Sequence, residues 1–401
     1  ISFRSFQCFF FKQNFLAQFY STEEEKQLCR KNIADDICDE VYSVESSRLL
    51  TLLNQSLKWQ QSIGVLPKGS KLDLLRNSSL SERTQREKVI TKLDNEIKFG
   101  DGDTHAESAV FSPDGQLLAT GTTDGFIEIW DFDTAKLNTD LKYQAADELM
   151  IHSDAVLCLC FSTDSEKLAV GTKDGQIKIF RVSDGECIHY FKEAHGAGVT
   201  SVKFSGDGSQ VLSSSLDFTA KIHGVRSGKT LKVFRGHKSF VNDVHFANSN
   251  NILTASSDGT MKLWSIKDSS CVHTINSGDK ESAIVSICPF PRKNDLFFVC
   301  SRSPSVHLIR SNGSVLKSYA APPRNGVEAC FVAIATSSLG KYLYCVDEKN
   351  ILYCFLVETG KLLHAVKTHE KGVLGIRHHP HLNILASFSL DHSLRLWRPK
   401  K

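Results

Sequence analysis

Five stretches of the chain end in the same way. TDGFIEIW closes at Trp130, KDGQIKIF at Phe180, LDFTAKIH at His223, SDGTMKLW at Trp264 and LDHSLRLW at Trp397. In each, an aspartate stands six residues before the end: Asp124, Asp174, Asp217, Asp258 and Asp391. A histidine precedes that aspartate by 19 to 22 residues: His105, His152, His195, His237 and His369. Five matches at one offset establish an internal repeat, which constrains a fold more tightly than composition does.

Successive histidines are 47, 43 and 42 residues apart, and the remaining gap from His237 to His369 is 132, three steps of 44. Two degenerate copies therefore belong inside the gap. PSVHLI, ending at Ile309, and NILYCF, ending at Phe355, occupy those places without the histidine and the aligned aspartate. Seven units of this period, with a strand-ending tryptophan, are the pattern of four-stranded propeller blades. Within the first unit SAVFS, LLATGT and FIEIW alternate apolar and polar residues, separated by Pro113-Asp114-Gly115 and Asp124-Gly125. Such runs and turns predict antiparallel strands. One blade cannot bury its own faces, so the units must stack around an axis. The seventh unit runs out after its third strand, and NEIKFG, Asn95–Gly100, is expected to supply the fourth. The fold class is thus an all-β seven-bladed propeller with a small α-helical N-terminal region.

Two motifs imitate catalytic sites. HGVRSGKTLK resembles a phosphate-binding loop, but it has three residues between Gly224 and Gly228-Lys229, where four are needed, and TLKVF continues as a strand rather than a helix. Gly185 and Gly360 stand at the same offset after Phe180 and Phe355, so Gly228 belongs to the turn between a third and a fourth strand. The second imitation is the set His237, Thr254 or Ser256, Asp258 and Trp264, which has the composition of a hydrolase triad. A triad is needed once, in a cleft with an oxyanion hole. This set recurs, which fits a buried network that fixes strands. The structural network is read as His105, Asp124 and Trp130; His152 and Asp174; His195 and Asp217; His237, Asp258 and Trp264; and His369, Asp391 and Trp397. No catalytic, cofactor or metal residues are assigned. HHPH, His378–His381, is read as a solvated turn between strands rather than a metal site.

Bulk properties agree. Forty-eight basic against 45 acidic side chains leave a net charge of +3, which gives no global case for nucleic acid. No run of 18 apolar residues suggests a membrane span. Twelve cysteines without a C-x-x-C pair read as apolar filler in a reducing compartment. Residues 1–13, aromatic and basic and beginning at Ile1, are left unassigned as a truncated or misread start. Residues 14–76 form the helical region. Ser21 and Thr22 each have a glutamate three residues on, a capping-box start, and Leu28, Ile33, Ile37 and Val41 follow at helical spacing. A second helix is expected from Ser46, with Leu49, Leu50, Leu52, Leu53 and Leu57 on a wide face and Gly64 as its stop. Residues 77–94 read as a polar linker and 95–401 as the propeller.

Several segments carry a resemblance. The repeats resemble WD-repeat propellers, and SSRLLTLLNQSLKWQQSIGVLPKGSKLDLLR, IKFGDGDTHAESAVFSPDGQLLATG, LKYQAADELM, HGVRSGKTLKVFRGHKSFVNDV and KTHEKGVLGIRHHPHLNILA resemble the Smu family of spliceosomal WD-repeat proteins. SLKWQQSIGVLP and LKYQA lie outside the generic blade pattern and make the likeness specific. The similarity runs from about Phe15 to Pro399. It implies a nuclear, non-enzymatic pre-mRNA splicing factor that works with the RED protein before spliceosome activation and influences alternative splicing. Family members dimerise and engage RED through LisH and CTLH helices, and the similarity begins within the second of these. Phe180 and His223 depart from the strand-ending tryptophan. The alternative function is a substrate-recruiting subunit of a ubiquitin ligase, since helical motifs joined to propellers occur there too.

Overall fold

The computed structural model describes residues 87–100, 104–146, 150–276, 282–291, 293, 295–323 and 328–400, with helical residues 27, 28, 30–32, 35, 48 and 51–56. The chain divides into two compact units, Ile1–Gln60 and Gln61–Lys401. In the first unit the described residues are helical, and Leu28 and Leu52 are exposed. Ile33, Ile37, Val41, Leu49, Leu50, Leu57, Gly64 and residues 1–13 and 77–86 lie outside the described residues.

The second unit is a seven-bladed β-propeller. Its sheets are antiparallel and run in chain order around the ring. The inner strands are Ala106–Phe111, Val156–Phe161, Val199–Phe204, Val241–Phe246, Ile284–Pro289, Phe331–Thr336 and Val373–His378. Each packs on the next, and the seventh packs on the first. The degenerate units form full blades: Ile284–Pro289, Leu296–Ser301, Ser305–Arg310 and Val315–Ala320 make blade five, and Phe331–Thr336, Tyr342–Asp347, Ile351–Leu356 and Leu362–Lys367 make blade six.

The apolar core sits between the blades. Seven buried clusters are found among the described residues, each drawn from two adjacent sheets. Trp264 of blade four, for example, packs with Leu212, Ile222 and Phe234 of blade three. Second strands have neighbours on both faces, and Leu118–Thr122 and Tyr342–Asp347 are buried at every residue. This is why they read as near-continuous apolar runs rather than strict alternation.

The outer strand of blade seven is Ile90–Lys98, paired antiparallel with Ser393–Pro399. It starts five residues before the expected Asn95, so the linker read through residue 94 ends earlier. Register shifts between Ile90 and Lys92 and between Leu93 and Asn95 break its alternation, and its outer edge faces solvent, which favours Lys92, Asp94 and Glu96. Glu87, also assigned to the linker, is buried against blade six. Its carboxylate accepts from Ser337 Oγ at 2.8 Å, Ser338 Oγ at 3.1 Å, and the N–H groups of Leu339 and Lys341. In blades one to three the matching turns carry their own carboxylate: Asp114, Asp164 and Asp207 accept from Ser112, Ser162 and Ser205. Blade six has Leu339 at that place, and Glu87 supplies the missing acceptor from about 250 residues away.

Blade one departs at its outer edge. Its fourth strand is split into Lys136–Leu137 and Met150–Ile151, with the short helix Lys142–Ala145 after the first piece. The Gln144 side chain stands in for a strand: its amide accepts from the N–H of Ile129 at 2.9 Å and donates to the carbonyl of Ile129 at 2.6 Å. Tyr143 beside it is buried under Gly185, where a Cβ would approach the ring to 2.9 Å. LKYQA, distinctive in sequence, therefore patches a gap in the sheet. Removing residues 1–100 is expected to lower the melting temperature of all seven blades by on the order of 10 °C or more, because blade seven loses a paired strand and two junctions open. Unchanged thermal unfolding, followed by circular dichroism, contradicts the closed ring.

Candidate functional site

Three blades build the same polar chain from the same positions. In blade four Trp264 Nε1–H donates to Thr254 Oγ1 at 2.9 Å, Thr254 lies 2.7 Å from His237 Nε2, and His237 Nδ1 lies 2.9 Å from Asp258 Oδ2. Blade seven repeats this with Trp397, Ser387, His369 and Asp391 at 2.9, 2.7 and 2.9 Å. Each group donates once along the chain when the histidine is neutral and carries its proton on Nδ1. The structure thus chooses Thr254 over Ser256, whose Oγ instead accepts the N–H of Asp258.

Blade three has His223 where the tryptophan belongs, and its imidazole takes over the indole's bond. His223 Nε2 is 2.9 Å from Ser213 Oγ, which is 2.8 Å from His195 Nε2, with His195 Nδ1 2.9 Å from Asp217 Oδ2. Asp217, Asp258 and Asp391 each also accept the N–H after the histidine and the hydroxyl two residues on, from Thr219, Thr260 and Ser393. Burial pushes these carboxyls up, but the hydroxyl and imidazole bonds outweigh it and hold them below the usual range. Burial lowers His195, His237 and His369, against the pull of their aspartates.

The sequence expectation fails in two blades. His152 is buried, and neither ring nitrogen has a hydrogen-bond partner; Asp174 accepts instead from Ser153 and Thr172. The cause is paired: Val170 stands where the bridging hydroxyl belongs and Phe180 where the indole belongs, so the ring only meets Phe180 edge-on at 6.5 Å. In blade one Trp130 donates to Thr120 at 2.8 Å, but Asp124 accepts from Thr104, and His105 lies 3.3 Å from Glu107 and edge-on to His392. Blades five and six use aromatic packing in place of the polar chain. Phe290, Phe298, Tyr319, Phe355, Phe331 and Tyr353 follow one another at 5.7 to 6.4 Å. Each such pair adds about 0.5–1.5 kcal/mol beyond area burial.

HHPH is not a solvated turn. His379 is buried between Phe111 and Phe132, its Nε2 bonds the carbonyl of Gly115 at 3.0 Å, and His381 Nε2 bonds that of Pro113 at 2.7 Å. The segment clasps blade seven to blade one. Within SGKT, Ser227 and Gly228, the latter at φ +62°, lie in the turn between the third and fourth strands of blade three, and Lys229 and Thr230 open the fourth strand.

Inner strands surround a channel of about 440 Å³, lined by all seven blades. Hydrogen bonds from one inner strand to the next stitch the first five blades: Ser108 to Val156, Cys158 to Val199, Thr200 to Val241 and Asn242 to Ile284. Asp243 is buried there and accepts from Ser201 Oγ and the N–H of Ile287. No cluster of three metal-ligating side chains occurs among the described residues. In the three complete chains, every histidine and aspartate is spent on holding a turn. That is scaffolding chemistry, and what it leaves for recognition is the surface made by the turns.

Residues 94–266 match the Nucleolar protein 10-like N-terminal β-propeller domain, and residues 360–398 match the WD domain, G-beta repeat. A solved WD40 β-propeller domain of Doa1 superposes with a TM-score of 0.64 at 21% identity, covering 77% of this chain and 97% of that one. Together with the seven sheets and the His–Asp turns of three of them, these matches define a WD-repeat β-propeller. The WD40 repeat-containing protein smu1 of Dictyostelium discoideum is 38% identical over 391 residues, spanning 96% of this chain and 73% of that protein. Human WD repeat and HMG-box DNA-binding protein 1 is 25% identical over 71% of this chain and 24% of its own length. The chain belongs to the Smu family of WD-repeat proteins.

Asp258→Ala leaves His237, Lys238 N–H and Thr260 without their acceptor and is expected to cost about 1–3 kcal/mol in urea unfolding; the same change at Asp174, which holds no imidazole, costs less. Equal losses contradict the account. Burial also lowers His223 and His379 to about 3, each acted on further by neighbouring cationic or imidazole groups. Unfolded histidine titrates near 6.5, so their contribution is complete above that pH. It falls by roughly 1.4 kcal/mol per pH unit for each as the pH drops toward 3. Urea midpoints flat between pH 7 and pH 4 contradict this.

Proposed function

We propose that this propeller is a non-enzymatic protein-interaction scaffold of pre-mRNA splicing, acting in the nucleus as a spliceosome component and influencing alternative splicing. A RED-type protein is its proposed partner. The observation that carries the reading is the similarity to smu1 over 96% of the chain, which includes the non-repeat segment LKYQA. The architecture supports it: the ring turns its polar signature inward and offers many turns, and the His–Asp pairs of its three complete chains are spent on holding those turns. Purification of the tagged chain from cell nuclei is expected to bring down splicing proteins, a RED-type protein among them. Recovery of ubiquitin-ligase core subunits instead, or unaltered splice-site choice after depletion, overturns the proposal.

A further inference from the structure

We infer that the turns of blades two to four dock an acidic protein segment with an apolar anchor, held on the ring pair Phe218–Phe240. The inference rests on the scaffold reading and names the chemistry of one partner. Phe218 follows Asp217 in the turn between the second and third strands of blade three. Its φ is +68°, a left-handed conformation in which a bulky residue is an outlier. Gly125, Gly175 and Gly259 hold the same place in blades one, two and four, with φ of +86°, +85° and +77°.

Two other blades put a left-handed non-glycine there, and each side chain has a structural task; blade five has Pro304, which is not left-handed. Asn350 accepts the N–H of Val373 at 3.0 Å, and His392 Nδ1 bonds the carbonyl of Thr104 at 2.9 Å. Phe218 has no comparable task. Its side chain is apolar, the residue is 43% exposed, and its ring leans on that of Phe240, itself 45% exposed, at 5.6 Å. Strained backbone of this kind clusters at binding sites, and the only ring contact of Phe218 among the described residues is this exposed one. Two residues before Phe218, half-buried Leu216 meets half-buried Leu157 of blade two at Gly198, where their Cδ1 atoms lie 3.4 and 3.3 Å from the place a Cβ would take.

Charge selects the partner. From Phe218 to Asn242 the chain has six cations and no acidic residue, in a protein balanced overall at 48 to 45. Arg226 and Lys229 lie at the far end of the sheet, Lys221 and Lys232 donate to the carbonyls of Ala194 and Lys267, and Arg235 and Lys238 are left at the ring-pair end. Arg235 and Lys238 are exposed at the ring-pair end of the outer strand Lys229–Phe234. The bordering carboxylates Asp217 and Asp258 are engaged by His195 and His237, and Asp243 is buried. An aromatic pair beside unpaired cations is the composition of an interface centre, and it complements a negative segment. Aliphatic Leu157 and Leu216 favour a protein over single-stranded RNA, whose bases stack on rings.

The test is selection of short random peptides displayed on phage against the purified full chain, followed by fluorescence anisotropy of the winners. Acidic sequences with an aromatic or aliphatic residue are expected. Their affinity should fall about tenfold with Phe218→Gly combined with Phe240→Ser, fall severalfold with Lys238→Glu, and weaken with added salt. Phe218→Gly alone should melt no lower than the parent, since glycine suits the turn. Failure to enrich acidic sequences, or equal binding by the variants, overturns the inference. So does a lower melting temperature for Phe218→Gly, or labelled oligouridine binding this surface where the peptides do not. These readouts use the purified chain alone, so they fail or succeed separately from the recovery of splicing proteins.

Discussion

The core of this molecule lies between its sheets, not within them. Each blade presents two apolar faces, and each face is covered only by a neighbour. No blade can therefore be stable alone, and the first and last must meet. That requirement explains why the strand Ile90–Lys98, which precedes blade one, lies on the outside of blade seven. Ile90 packs in the cluster between blades six and seven, and Ile97 and Phe99 in the one between blades seven and one. One strand thus serves two junctions. Glu87, bound in the turn of blade six, and His379 and His381, bonded to blade one, secure the same region with polar contacts.

Within that frame the blades solve one problem in different ways. In six blades the turn between the second and third strands holds a left-handed residue, and it must stay fixed to the loop that enters the blade. Blades three, four and seven do this with a histidine between a hydroxyl and an aspartate, a network that stabilises because every member is satisfied. Blades five and six substitute interlocked aromatic rings, with Tyr353 donating to Asp347. Blade two loses hydroxyl and indole together, leaving an apolar contact with Phe180 and a histidine that burial lowers to about 4. Function follows from this division of labour. Interior positions are committed to geometry, which leaves the turns to the proposed partner, and Phe218 holds its left-handed place in one of them against its local preference.

Much of this was legible in the sequence. The fixed interval between Asp and strand end revealed the blades, and the period alone located the two copies that lack both markers. The bridging hydroxyl of blade four was narrowed to two residues, because Thr254 and Ser256 share the inward side of one strand; only coordinates separate them. Other features were hidden for physical reasons. The closing strand has bulges that break its period, so its first five residues read as linker. The task of Glu87 belongs to a turn some 250 residues away, beyond the reach of local pattern. HHPH has the polar composition of a wet turn, yet a neutral imidazole that finds a carbonyl can be buried. His152 holds its place in the repeat while Val170 and Phe180 stand where its partners belong, and a single-position signature cannot register that.

The central claim is that seven sheets form one closed, cooperative body. Native-state hydrogen exchange across the propeller tests it most directly. The account predicts that core amides of blades one and seven open with the same free energy and denaturant dependence as those of blade four. Amides of the terminal blades exchanging through a separate, cheaper opening, with blade four still protected, would contradict it.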